Sequence, residues 1–199
     1  MDRIQKALDK AKAKHNTSAG LNESNRKSNT FERVSVEAAT PLHQIDNISY
    51  AQTKVETTPR ESLEKNRIIA GFYNNPQSAV FRMLRTQVLQ KMRTEKFRSL
   101  AITSPTSGEG KSLIASNLAI AIAMELNQTV LLVDMDLRNP TVSKYFDLTA
   151  KSGLKDYLEG DIELKDVLIN PGIKRLVVLP GVGRAEDSAE LLSSPKMAN

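Results

Sequence analysis

At 199 residues, 40% of them hydrophobic, the chain has room for one α/β domain of ordinary size plus a tail. It has no cysteine, which excludes a disulfide framework and a thiolate metal site; its longest apolar stretch, LAIAIAM at 118–124, is far too short for a membrane span. The net charge of +5 divides into +3 over residues 1–60, +4 over 61–110 and −2 over 111–199, so the basic excess lies ahead of residue 111.

In chain order, residues 1–16 (MDRIQKALDKAKAKHN) have no apolar core of signal-peptide length. They place Ile4, Leu8 and Ala11 at helical spacing and predict a short amphipathic helix. Residues 17–62, rich in Ser, Thr, Asn and Lys without a sustained period, read as a flexible polar linker. A domain is expected over 63–199. QSAVFRMLRTQVLQKM predicts a helix with Val80, Phe81, Leu84, Val88 and Met92 on one face and Arg82 and Arg85 to the side. With no aromatic platform among them, the basic residues of 82–98 are weak grounds for nucleic-acid binding, and none is expected. SLAITS (99–104) reads as a buried strand, 111–126 as a long helix, and TVLLVD (129–134) as a second strand. Short helices are expected at 140–146, 153–158 and 162–169, a third strand at 175–181 and a further helix from 188. Strands alternating with helices predict a doubly wound, mostly parallel α/β sheet of the P-loop NTPase type.

SPTSGEGKS (104–112) follows a strand and opens a helix, the context in which Gly-x4-Gly-Lys-Ser/Thr cradles phosphate. Gly110, Lys111 and Ser112 fit that pattern, but its first glycine is replaced by Pro105. Such a cradle works through inward-pointing N–H groups and the positive end of the helix. Thr106, Ser107, Gly108, Glu109, Gly110, Lys111 and Ser112 all keep their N–H, so the proline is tolerable. Lys111 is expected to reach the β- and γ-phosphates of ATP, and the Ser112 hydroxyl to ligate Mg²⁺.

VLLVDMDLRNP (130–140) ends its strand in two carboxylates, Asp134 and Asp136. Ligands in open α/β sheets lie at the carboxyl ends of strands, and alternation would put both side chains on one side of an extended backbone. There Asp134 can hold Mg²⁺ or its waters, or accept a proton from an incoming hydroxyl.

ITSPTSGEGKS, VLLVDMDLRNP and the preceding FRMLRTQVL resemble the Walker A, Walker A′ and arginine-helix motifs of the bacterial tyrosine kinases. These are cytoplasmic P-loop ATPases that regulate polymerisation and export of capsule and exopolysaccharide. The likeness runs over 63–199, and the polar N-terminal extension is similar to that of the exopolysaccharide-locus autokinases. It implies nucleotide and metal roles for Lys111 and Ser112, a base role for Asp134 toward a tyrosine hydroxyl, and a place for Asp136 in the Mg²⁺ shell. It also implies self-association through Arg82 and Arg85. Finally, it implies docking at the inner face of the plasma membrane on an integral chain-length-determinant protein, the polysaccharide co-polymerase.

Three departures stand out. The family's Glu-x-x-Arg-x-x-Arg motif has Ala79 at its glutamate position. The four tyrosines, Tyr50, Tyr73, Tyr145 and Tyr157, are scattered instead of clustered at the end. A further apolar strand ending in Asp, the Walker B element, does not appear before Asn199, so 63–199 is expected to be the N-terminal part of a kinase domain. Two alternatives remain open. One is a deviant Walker A partition or division-site ATPase, which would need a lysine where Thr106 stands; the other is a truncated, non-catalytic nucleotide-binding or interaction module.

Overall fold

In the computed structural model, residues 53–160 and 162–198 are described, and they belong to a unit spanning 41–199. The helix expected over 1–16 and most of the linker expected over 17–62 lie outside the described residues. Four described strands, β1 (Lys54–Val55), β2 (Val130–Val133), β3 (Ile169–Asn170) and β4 (Leu176–Leu179), form one sheet in the order β1-β3-β4-β2. β1 pairs parallel with β3, and β2 pairs parallel with β4 over the register Val130↔Leu176 to Val133↔Leu179; β3 and β4 meet antiparallel at Ile169↔Val178. The sheet is therefore mixed and mostly parallel, as the alternation of elements predicts.

Described structure begins before residue 63, inside the span expected as linker. β1 lies within 17–62, as does the start of helix α1 (Arg60–Lys65). A two-residue strand has no periodicity to read. It exists because Glu56 N–H and Thr58 N–H donate to the carbonyls of Asn170, in β3, and Pro171, just after it. Glu56 also accepts from Lys54 Nζ (2.8 Å) and from the N–H and hydroxyl of Thr149 (both 2.6 Å). Those donors, Lys54 first, pull its carboxyl from the usual 4.5 to about 2. A depressed carboxyl contributes stability that is present above about pH 4.5 and is lost as pH falls toward 2. Glu56→Gln should accordingly melt below the parent at neutral pH, and acid titration of the two melting temperatures should bring them together between pH 4.5 and 2.

Helix α2 (Ser78–Glu95) forms where the sequence predicts it. Of its expected face Phe81, Leu84, Val88 and Met92 are half-buried beside buried Leu89, whereas Val80 is 64% exposed. Arg85, expected to the side, turns inward (below). Helix α3 (Lys111–Ala123) is buried on nearly every side from Ser116 to Ala123, as its all-round apolar composition requires. It lies against β2 and β4, with Ile120, Leu132, Phe146, Leu176 and Val178 in the larger core cluster. Alternation along β4 sends Leu176 and Val178 toward this face and Leu179 to the other. There Leu179 meets Leu154 and Leu158 of helix α5 (Leu154–Glu159) and Val167 of helix α6 (Leu164–Val167). Helix α4 (Val142–Tyr145) follows β2, and α7 (Ser188–Leu192) and α8 (Pro195–Ala198) complete the described elements. No helix among the described residues is long and apolar enough to cross a membrane.

The strand expected at 99–104 is not part of the sheet, which corrects that expectation. Residues 97–104 form no ladder among the described residues, with Phe97 57% and Leu100 50% exposed. A strand exists only where a neighbour takes up its N–H and C=O groups. Among the described residues β2 is an edge strand, with Leu131 52% exposed. Apolar content alone did not supply 99–104 with that neighbour.

Candidate active site

The loop before α3 is built by backbone conformation and by short polar contacts. Ser104 Oγ donates to the Thr106 carbonyl (2.8 Å), and Thr106 Oγ1 donates to Glu109 Oε1 (2.7 Å), so Thr106 and Glu109 brace the loop from within. Gly108 and Gly110 have φ of +84° and +89°, and nothing lies within 4 Å of a Cβ added at either. They are glycines for conformation, not for space. The N–H groups of Thr106, Ser107, Gly108, Glu109 and Gly110 donate to no acceptor among the described residues, and Gly110 caps α3 at its positive end. That cluster of free donors is what a polyphosphate requires, so these residues fit a nucleotide.

The two expected motifs come together here. Lys111 Nζ lies 2.8 Å from Asp136 Oδ2, and Thr141 Oγ1 donates to Ser112 Oγ at 2.9 Å. The hydrogen bond to Asp136 raises the Lys111 ammonium above its usual range against the opposing effect of burial. For Asp136, burial pushes upward, but Lys111 and the N–H groups of Asn139 and Arg138 outweigh it and hold the carboxyl below its usual range.

Asp134 differs from the expected placement. β2 ends at Val133, and the Asp136 N–H turns back to Asp134 Oδ1 (3.2 Å), so the two carboxylates lie on a turn and not on one side of a strand. Asp134 Oδ2 accepts from the N–H groups of Thr141 (2.8 Å) and Val142 (2.9 Å), fastening the start of α4. The residue is only 3% exposed. Burial lifts its carboxyl above the usual range, and the three N–H donors offset part of that rise. Asp134, Asp136 and the Ser112 hydroxyl offer oxygen donors of the kind Mg²⁺ takes alongside phosphates and water.

Arg82 and Arg85, expected at an interface, have partners within the chain. Arg85 bridges to Glu125 (2.8 Å) and donates to the Ala121 carbonyl (3.2 Å), and its side chain is 17% exposed. With Arg175, whose Nε donates to the Ala123 carbonyl at 2.9 Å, it places positive charge on the C-terminal end of α3. Arg82 donates to Ser78 Oγ (2.6 Å) and lies 5.9 Å from the centre of the Tyr73 ring. The spacing of the two arginines gave no sign of these roles.

Two contributors escaped the sequence reading. Thr141 links the two motifs; the signal for it was a hydroxyl directly after Pro140 at the start of a short helix. Asn117, fully buried in α3, accepts from Ile69 N–H (2.8 Å) and Ala70 N–H (3.0 Å) and donates to the carbonyls of Arg67 (3.1 Å) and Leu113 (3.0 Å). A lone polar residue in an apolar helix was its signal.

Residues 100–189 match the CobQ/CobB/MinD/ParA nucleotide binding domain. The chain is 34% identical over 135 residues to tyrosine-protein kinase YwqD of Bacillus subtilis, covering 68% of this chain and 56% of that protein. It is 38% identical over 101 residues to tyrosine-protein kinase CpsD of Streptococcus agalactiae, covering 50% of this chain and 43% of CpsD. Among solved structures, the chimerical protein CapA2B2 superposes with a TM-score of 0.58 at 30% identity, over 73% of this chain and 62% of that one. The chain thus spans about half the length of these curated relatives. With a phosphate-type loop and an aspartate that meets its lysine, the chain is similar, over about half of their length, to bacterial tyrosine-protein kinases, on a nucleotide-binding α/β fold.

Proposed function

We propose that the chain is the nucleotide-binding part of an ATP-dependent protein-tyrosine kinase, an autokinase that governs polymerisation and export of exopolysaccharide or capsule. The observation that carries this reading is the 2.8 Å pair between Lys111 and Asp136, which holds the lysine of one motif against the carboxylate of the other beside the free N–H groups of the loop. On nucleotide entry Lys111 exchanges Asp136 for the β- and γ-phosphate oxygens, and Asp136 and Ser112 are released as metal ligands. Mg²⁺ bound there would neutralise the charge that develops on the phosphates.

In the transfer itself, the tyrosine Oη bonds to the γ-phosphorus while the bond from that phosphorus to the bridging oxygen breaks, and ADP leaves. The phenolic proton passes to Asp134. Its Oδ1 carries one long hydrogen bond, against two short ones on Oδ2, and so retains a lone pair for the proton. Burial raises its proton affinity, the direction a base needs.

Asp134→Asn tests this. Asparagine keeps an oxygen for Thr141 and Val142 but cannot take the proton. Phosphotyrosine formation from Mg·ATP should fall by about 10²–10⁴-fold while ATP affinity is retained. Undiminished labelling would overturn the assignment of the base.

The same resemblance supports two finer proposals, docking on a membrane-integral polysaccharide co-polymerase and self-association along α2. For the second, Val80 and Met83 (67% exposed) offer more free surface than the internally paired Arg85. Thr106, at the place where partition ATPases carry a second lysine, weighs against that alternative.

A further inference from the structure

A groove of about 450 Å³ opens beside the aspartate pair, outside the phosphate loop. Its inner end is formed by Pro140 and Gly181, packed so tightly that a Cβ on Gly181 would fall 2.4 Å from Pro140 Cβ and 3.4 Å from Asp134 Cγ. From there it runs outward past Arg138, Lys144 and Arg184, and no carboxylate lines it. None of these three cations forms an ion pair among the described residues. Arg138 Nε touches only the neutral Ser188 hydroxyl at 3.2 Å. At Gly183 the main chain is bare: its N–H donates to no acceptor among the described residues, and nothing lies within 4 Å of a Cβ added there.

We propose that this groove binds the phosphoryl acceptor, and that the acceptor is an acidic stretch of polypeptide carrying the tyrosine. The proposal rests on the kinase reading above and adds a substrate class to it. Three unpaired cations spread along a groove match carboxylates spaced along a chain, whereas the polyphosphate of a nucleotide already has its donors in the loop at 106–112. The uncovered N–H of Gly183 offers a main-chain donor to an extended segment laid alongside it. Gly181, in its wall, is packed against Asp134, so the groove lies next to the group that takes the phenolic proton.

The test uses the full chain and three fluorescent peptides with a central tyrosine flanked by glutamates, glutamines or lysines. Binding is read by anisotropy, and phosphotyrosine is read after adding Mg·ATP. The glutamate peptide should bind about 10-fold or more tightly than the glutamine peptide, with the difference shrinking as salt rises. The double variant Lys144→Glu, Arg184→Glu, both exposed positions, should lose that preference while ATP affinity and melting temperature hold. Equal binding of the glutamate and glutamine peptides, an unaffected double variant, or displacement of the peptide by ATP would each overturn the groove assignment. Acidic-peptide binding without phosphotyrosine would sustain the groove and sink the kinase reading. Equal phosphorylation of all three peptides would do the reverse.

Discussion

Lys111→Met should weaken Mg·ATP binding by about 10–100-fold, since a charge-assisted hydrogen bond contributes on the order of 1.5–3 kcal/mol. Phosphotyrosine formation should fall further, by about 10²–10³-fold, because charge at the γ-phosphoryl group grows toward the transition state. The fold should survive. The carboxylate that loses its partner, Asp136, keeps its N–H donors and has a side chain 25% exposed, so water can solvate it. The ion pair has a further signature. Lys111 holds the Asp136 carboxyl below its usual range, so the pair's stabilisation is present above the ordinary carboxylate range and is lost as pH falls through the depressed value. The variant's stability should therefore depend less on acid than the parent's does. Calorimetric titration with Mg·ATP reads the first effect, and an unchanged dissociation constant would remove Lys111 from the phosphate site.

Asn117→Ala should cost about 2–4 kcal/mol and lower the melting temperature by on the order of 5–15 °C. The side chain makes four hydrogen bonds at 0% exposure. Removing it strands the N–H groups of half-buried Ile69 and buried Ala70 and takes a donor from the carbonyls of Arg67 and Leu113. Because both Ile69 and Ala70 donate, the oxygen of the amide must face them and its nitrogen must face the carbonyls. Asn117→Asp would keep the acceptor and lose the donor, leaving an ionisable group in the core. It should be destabilised as well, increasingly so above the carboxylate range. Thermal melts across pH separate the two variants, and a loss under 1 kcal/mol in both would mean that water or rearranged main chain substitutes for the amide. The turn at 67–70 would then be independent of the helix that begins at the phosphate loop.

How legible each feature was in the sequence follows from how far its causes extend along the chain. The loop at 106–112 and helix α3 were readable because glycine placement and uninterrupted apolar composition act within a few residues. The helix at 188–192 and the strand at 176–179 were close to their expected bounds for the same reason. Val80 was misjudged on α2 because the stripe was chosen by hydropathy. The inward-facing side also takes in Arg85, whose guanidinium meets one carbonyl and one glutamate some 40 residues away. β1 was invisible since two residues carry no period, and its pairing is settled by β3, more than a hundred residues later.

The sequence by itself determined that this protein has a loop of the phosphate-cradle pattern at the head of a buried helix, and a pair of carboxylates just after a parallel strand. Only the tertiary structure decided which carboxylate meets Lys111, that Asp134 is fastened to Thr141 and Val142, and that residues 99–104 form no ladder among the described residues. The division has one physical cause. Conformational preference is a property of a residue and its immediate neighbours, whereas ion pairs, ladders and burial exist only between groups that the folded chain brings together.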